Sequence, residues 1–590
     1  MPCGGSSSLF QIAPAGMLYT LATDETLSPI EEKDVSRTDR DIPAPMSSLR
    51  CTETFNDDMW VTAKSGALNT ATREGLERLA NGTDVDNDEM ESFEHVYEYI
   101  STLGCGSYGC TVLVRDHSDN PELLRVMKIA LFDEFFAKEV LVYTHTDEEI
   151  LKKRISPNFA IPTHWFVANE LPPATSWANF YASLHKRSSA FEMCMHAKMN
   201  GCRMGYLVME YGQEGTLNDF NRNVLSPLAD DNRTLYHRVV RNVVFQLVSG
   251  LYAMELTGME HRDLGANNIV LVRSGMRNNT VLQTMYPDNE DLKNRCYTYT
   301  YGEDKFEVKP VYEDEEIYMP LIVDFSMSEI GPPSSVVKDT VTNAWFRAPE
   351  LIFFDSENPV FSTQADMFSL AISIMTMIMG HHPFVQGEGS LKPSKELVYD
   401  MDRMCDRKYY DKKRESQVRH LRGQREQRYY LLTYAWNMCR FLGMPSNKTM
   451  PGVESTPIYE ILRRSYDQDL TESQRSQFGT AWSRLEQDVE SHNTLLVYML
   501  KKMLAWNPND RPVSALELLQ SLYFYPLRKV PSCINFTAAA TRRSDGVMRT
   551  KTKISKGARH APYHYTPSRR MYRLENEMGI SQLYEQVSCV

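Results

Sequence analysis

Residues 258–271 read Gly258-Met259-Glu260-His261-Arg262-Asp263-Leu264-Gly265-Ala266-Asn267-Asn268-Ile269-Val270-Leu271. An Asp and an Asn five residues apart, flanked by His-Arg on one side and an apolar tail on the other, have the form of a catalytic loop. Whether the loop works, or has kept the shape and lost the chemistry, turns on Gly265, two positions after the Asp.

Outward from this loop the periodicity changes twice. Just upstream, LYHRVVRNVVFQLVSGLYAMEL (235–256) carries apolar residues at three- and four-residue spacing, which predicts a helix. Much earlier, EYISTLGCGSYGCTVLVRD (98–116) and LLRVMKIAL (123–131) alternate, which predicts a strand, a glycine turn and two further strands. A strand-rich first part and a helix-rich second part predict an α+β chain with two lobes of unlike composition.

Two details in the strand-rich part carry chemistry. Gly104, Gly106 and Gly109 let the backbone approach phosphate oxygens closely, with its N–H groups facing them. The spacing alone fits a plain hairpin turn equally well; a dinucleotide-binding turn is disfavoured because no helix opens here. Lys128 lies inside the apolar run Val126-Met127-Lys128-Ile129-Ala130. An inward lysine needs anionic partners; an edge-strand lysine facing solvent is the alternative.

The totals set bounds. The chain has 590 residues, 42% hydrophobic and 24% charged, enough for one large domain with tails or two ordinary ones. A net charge of −13 excludes the molecule as a whole as a polyanion binder. Its 11 cysteines are scattered with no C-x-x-C pair, which reads as free thiols in a reducing compartment. The start lacks a basic, then apolar, secretory pattern. The run MFSLAISIMTMIM (367–379) is too short to span a bilayer and reads as a buried helix. The expectation is a soluble intracellular protein, cytoplasmic or nuclear, with no membrane association.

Residues 1–92, rich in Ser, Thr, Asp, Glu and Pro, are expected to form a mostly disordered arm with one helix near 70–80. Residues 168–203, 274–316 and 403–430 read as insertions, the last with ten Lys/Arg against four Asp/Glu. A basic, flexible tail occupies 527–590. The basic runs 403–430 and 541–573 are read as solvated faces or docking and import segments in preference to nucleic-acid contacts.

GCGSYG, VMK, HRDLGANN, DFS and RAPE stand in the order and with the neighbours of the eukaryotic protein kinase signature set, and residues 93–526 resemble that family. The resemblance implies a bilobal fold, with a small strand-rich N-lobe over about 93–209 and a larger helical C-lobe over about 212–526. It implies transfer of the ATP γ-phosphate to protein hydroxyls, with ATP and Mg2+ as cofactors. Asp263 would accept the hydroxyl proton, and Asn268 and Asp324 would hold magnesium. Lys128 would pair phosphate oxygens and a helix carboxylate. That carboxylate is read as Glu139, in apolar surroundings, over Glu148 and Glu149. The nucleotide site would take in Leu103, Gly104, Cys105, Gly106, Ser107, Tyr108, Gly109, Cys110 and Thr111. Met209 would be the gatekeeper, with Glu210 and Tyr211 forming the hinge. His261 is read as a packed structural residue, and Glu350 would pair with Arg511.

CRFLGMPSNKTMPGVESTPIY (439–459) and WFRAPE (345–350) resemble the CMGC group of cyclin-dependent and mitogen-activated kinases, which implies serine/threonine specificity and a preference for proline shaped by Arg347. The divergent texture resembles kinases of large, herpesvirus-like DNA viruses, which would place the protein in a host cell. Protein substrates are implied, and a regulatory partner is left open. Four departures stand out. Gly265 replaces a basic residue that Asn267 does not restore, a loss of about 1.5–3 kcal/mol or roughly ten- to a hundredfold in rate. Ser326 replaces a glycine, Thr111 a valine, and a gap of 61 residues separates Asp263 from Asp324, so 274–316 should bulge outward. None of these removes a metal ligand, the base or the lysine, so an active enzyme is expected; a pseudokinase scaffold is the alternative.

Overall fold

Strand β3 (Leu123–Leu131) shows how the sheet is built, because its alternate residues go to two different cores. Val126 and Ala130 join the main core, while Met127 and Ile129 join a smaller one on the opposite face. The computed structural model describes residues 97–106, 109–117, 123–132, 134–168, 172, 177–184, 204–274, 297–310, 317–331, 344–354, 363–384, 432–468, 471–476, 478, 494–529, 538–542 and 548–552. β3 lies at the centre of a five-stranded antiparallel sheet with β1 (Tyr97–Gly106), β2 (Gly109–Asp116), β4 (Pro162–Ala168) and β5 (Met204–Glu210), in the order β1-β2-β3-β5-β4. With both faces covered, these strands read as near-continuous apolar runs.

One face receives helix α1 (Glu134–His145). Phe136 of α1 lies so close to β5 that a Cβ on Gly205 would meet its ring at 2.6 Å, so only glycine fits there. The other face is covered from within the stretch read as the first insertion. Trp177, Phe180 and Leu184 are buried there against Tyr97, Val112 and Tyr206.

The remainder is mainly helical. Asn232 opens α2 (Arg233–Leu256) by accepting the Leu235 N–H at 3.1 Å. α3 (Thr363–Met379) is buried at every residue from Ala365 to Met377, which is why its sequence is apolar all round. Around these two lie α4 (Thr494–Met503), the short pairs β7 (Met259–Glu260) with β12 (Glu329–Ile330), and a three-stranded sheet ordered β11 (Tyr318–Ile322), β8 (Ile269–Arg273), β6 (Gly215–Thr216). Arg511 ties the body together: its guanidinium donates to both Glu350 carboxylate oxygens at 2.7 Å and lies over the Phe368 ring.

Two expectations are corrected. The stretch 274–316 does not simply bulge outward: its described part forms a hairpin, β9 (Tyr297–Tyr301) and β10 (Asp304–Val308), that packs inward. Tyr297, Tyr299, Tyr301 and Phe306 are buried, with Phe245 of α2 in ring contact with Tyr299 and Phe306. The alternation Tyr-Thr-Tyr-Thr-Tyr puts three large rings on one face, and burying them outweighs solvating the loop. Nor are all cysteines free thiols: Cys105 and Cys110 are disulfide-bonded. The β1–β2 register sets them directly opposite, with Cα atoms 4.1 Å apart, a juxtaposition that spacing alone does not reveal. Cys439 is free and buried.

The expected N-terminal arm, the basic stretch 403–430 and most of the C-terminal tail lie outside the described residues, as do Ser107 and Tyr108. Within the tail, β13 (Ala538–Arg542) and β14 (Met548–Thr552) pair antiparallel. Among the described residues no helix is long and apolar enough to cross a membrane.

Candidate active site

Because β3 alternates, Lys128 shares the face of Val126 and Ala130 and is directed toward α1. Its side chain is 9% exposed. The Nζ donates to Glu139 Oε1 of α1 and to Asp324 Oδ1, each at 2.8 Å. Burial alone would lower the lysine's pKa, but the charges and hydrogen bonds of Asp324 and Glu139 outweigh it and hold the ammonium above its ordinary value. Glu148 and Glu149 face Lys152 and Lys153 at the solvated end of the helix.

Asp324 follows the buried strand β11 with φ at +65°, a left-handed conformation that costs a non-glycine residue free energy and persists only when its surroundings hold it. Several contacts do so. Phe325 is fully buried against Tyr143 and His261. The Asp324 N–H donates to Tyr143 Oη at 3.3 Å, and Ser326 Oγ donates to Asp324 Oδ1 at 2.9 Å. Burial works to raise the carboxyl's pKa, yet Lys128, Ser326 and His261 together bring it down to about 2. Its side chain nonetheless keeps 39% of its surface exposed. Ser326, which stands where the resembled family has glycine, therefore acts on the carboxylate directly.

The loop of residues 261–268 is bound to this carboxylate's strand. The Val323 N–H donates to the Asn268 carbonyl at 3.0 Å, and His261 Nε2 lies 3.1 Å from the Val323 carbonyl. The Asp263 N–H donates to His261 Nδ1 at 3.3 Å, so Nε2 carries the proton and the ring is neutral. Burial pushes the His261 pKa down to about 4. Asn268 Nδ2 donates to the carbonyl of Asp263 at 2.8 Å and to its Oδ2 at 2.9 Å. Asp366, at the start of α3, accepts the N–H groups of His261 and Arg262 at 2.7 and 2.9 Å. Burial raises the pKa of that carboxyl to about 7. Side-chain bonds thus join Lys128 to Glu139 and Asp324, others join Asn268 to Asp263, and the Val323–Asn268 backbone bond links the two sets.

The other described residues of the expected nucleotide site lie on β1, β2 and at the end of β5. β1 and β2 run Gly104 opposite Thr111 and Gly106 opposite Gly109, with the Cys105–Cys110 bond between those pairs. Gly109 has φ +150°, and a Cβ there would meet the Ile129 carbonyl at 2.3 Å, so β3 approaches too closely for any side chain. Leu103 is 46% exposed, and Thr111 lies beside Lys128 in the β2–β3 register. Met209 is buried, its sulfur accepting from Tyr143 Oη at 3.4 Å. Glu210 is tied to Ile161: its N–H donates to the Ile161 carbonyl, and its Oε2 accepts the Ile161 N–H. Tyr211 is partly buried against the main core.

Sequence reasoning missed Tyr143, whose hydroxyl spans Met209 and the Asp324 backbone. Its signal was present: it stands four residues after Glu139, on the same helix face. Also missed was what lies beside Gly265. A Cβ there would meet the Phe346 ring at 3.0 Å. Phe346 and its neighbours are pinned, because the carbonyls of Trp345, Phe346 and Arg347 contact His382 Nε2 and accept from Ser369 Oγ and Tyr434 Oη. Burial lowers the Arg347 pKa to about 10, with Tyr434 and the Asp263 carboxylate opposing the shift.

The cluster suits a nucleotide triphosphate with a hard divalent cation. Among the described residues no group of three or more His, Cys, Asp or Glu is placed to cage a metal. Asp324 offers a partly exposed carboxylate. Asn268 has committed its amide nitrogen to Asp263, which leaves the amide oxygen as the donor suited to a cation. One carboxylate and one amide oxygen fit magnesium, which takes few protein ligands and fills its octahedron with phosphate oxygens and water.

The family model described as protein kinase domain matches residues 311–524, well under half of the chain. The match includes Asp324, Arg347, Glu350, Asp366 and Arg511, whereas Lys128, Glu139, Asp263 and Asn268 precede it. A comparison with curated proteins finds no match. The similarity of residues 311–524 to a protein kinase domain supports a phosphotransferase of the protein kinase kind.

Proposed function

We propose that the protein is an active serine/threonine protein kinase of the CMGC type. In this reading it is built as a strand-rich N-lobe and a helical C-lobe over residues 93–526, and it transfers the γ-phosphate of ATP to protein hydroxyls. The observation that carries the proposal is the bonded cluster of Lys128, Glu139 and Asp324 on one side with Asn268 and Asp263 on the other.

Lys128, fully charged and fixed by Glu139, orients the phosphates. Asp263 Oδ2 accepts the substrate proton, and Asn268 holds that carboxylate in place. As the hydroxyl oxygen bonds to the γ-phosphorus, the bond to the β,γ-bridging oxygen breaks and ADP leaves with the electron pair. Asp324 and the Asn268 amide oxygen would hold magnesium, which would supply charge neutralisation at the phosphates. His261 keeps its proton on Nε2 and orients the Asp263 backbone without exchanging protons itself. Leu442-Gly443-Met444-Pro445 and Pro451-Gly452-Val453 support the CMGC grouping. Gly443 and Gly452 take positive φ there, and Met450 is buried where that group carries tryptophan.

The test is transfer of radiolabelled phosphate from ATP to basic and proline-containing Ser/Thr peptides by purified protein. Transfer that is abolished in Asp263→Asn supports the proposal. ATP binding without transfer, equal in both proteins, establishes the pseudokinase reading instead.

A further inference from the structure

Two cations flank the cluster in sequence without belonging to it: Lys138 precedes Glu139, and Arg262 precedes Asp263. Both are held by Glu329, five residues after Asp324. Lys138 Nζ pairs with Glu329 Oε2, and Arg262 Nη1 donates to the same oxygen at 3.1 Å. The rest of the guanidinium is taken by Glu260, whose Oε2 accepts from Nε at 3.2 Å and from Nη2 at 3.0 Å. Glu260 and Glu329 stand directly opposite each other in the β7–β12 pair. Like charges in that relation destabilise a ladder unless a cation lies between them. Arg262 is that cation, and it adopts φ +65° to reach the position. The side chains of Arg262, Glu260, Glu329 and Lys138 are 6, 8, 11 and 19% exposed.

We infer that Glu329 is a positioning residue of the proposed kinase: through Lys138 it fixes the helix that carries Glu139, and through Arg262 it fixes the loop that carries Asp263. A displacement of α1 that parted Glu139 from Lys128 would also part Lys138 from Glu329. Since Glu329 follows Asp324 on the same short segment, all three parts of the site are held in one register by a carboxylate encoded in the chain. The cluster is also complete in charge, with two cations against two carboxylates. A phosphate added to the serines and threonines of residues 332–343 therefore finds these cations already neutralised, and the active arrangement forms without it.

The inference rests on the kinase reading, so the experiment separates the two. Glu329→Gln, Lys138→Met and the double variant are compared in kcat, KM for ATP, thermal melting and amide hydrogen exchange along α1. The expected result is a folded Glu329→Gln protein with kcat about tenfold lower or more. Lys138→Met should show a smaller loss, the double variant should be no worse than Glu329→Gln, and α1 amides should exchange faster in all three. A Lys138→Arg protein should retain activity. Phosphatase treatment of the wild type should leave kcat within about twofold. Wild-type kcat in Glu329→Gln, multiplicative losses in the double variant, or a collapse of activity after dephosphorylation would overturn the inference while leaving the kinase reading intact. A wild type without transfer activity overturns the kinase reading instead. Faster α1 exchange in Glu329→Gln then still supports the mechanical coupling, and unchanged exchange removes it.

Discussion

Two ionic clusters lie a few residues apart and are built from the same parts. In one, Lys128 is held between Glu139 and Asp324; in the other, Arg262 is held between Glu260 and Glu329. They differ in charge and in access. The first has one cation for two carboxylates, and one of those carboxylates is 39% exposed. The second adds Lys138, balances its charges, and keeps every side chain at 19% exposure or less. A surplus negative charge open to solvent is where a divalent cation and its phosphates gain free energy. A balanced, closed set can only hold elements in place. The contrast separates the chemistry of this protein from its scaffolding.

The contrast is most directly broken by removing one carboxylate from the open cluster. On the proposed kinase reading, Asp324→Asn should lower kcat by about a thousandfold or more, because the carboxylate proposed to hold the metal is lost, while Lys128 keeps Glu139 and the fold survives. Steady-state kinetics together with a melting curve check both halves. The closed cluster should respond the other way. Arg262→Met leaves two carboxylates facing each other across a ladder, and should cost about 3–5 kcal/mol of stability by denaturant unfolding.

Protons sharpen the comparison at the joint between the clusters, where His261 is fully buried and neutral. Its folded pKa of about 4 lies below the unfolded value of 6.5, so the native state binds fewer protons between those limits. Its contribution is complete above pH 6.5 and is lost as pH falls toward 4, by on the order of 2–3 kcal/mol. A series of unfolding curves over that range, set against His261→Phe, isolates the slope; an equal slope in the variant removes the account. The smallest effect belongs to Ser326→Gly, which frees the backbone but removes the donor on Asp324 Oδ1. A loss of about 1 kcal/mol in stability is expected, with a modest fall in kcat.

The parts of this site that were legible in the sequence are those where strand period and burial act locally. Lys128 in an apolar run pointed to an inward lysine, with an edge-strand lysine as the alternative, and Glu139 was preferred over Glu148 and Glu149 because its neighbours are apolar. Both inferences need only a few adjacent residues. The parts that were not legible depend on register between distant strands. Cys105 meets Cys110 only because β1 and β2 pair as they do. Glu260 meets Glu329 across 69 residues of chain. The inward packing of the hairpin Tyr297–Val308 does not follow from its position between two motifs, where an insertion is expected to lie outside, although its Tyr-Thr alternation is that of a half-buried strand. Three tyrosines on one face argue for burial.

The ring of Phe346 beside Gly265 limits what this loop position can carry. A Cβ there would meet the ring at 3.0 Å, and the aromatic's backbone is anchored at three successive carbonyls, so it yields little. Gly265→Lys should therefore depress activity, and a paired change that also shrinks Phe346 should relieve the crowding.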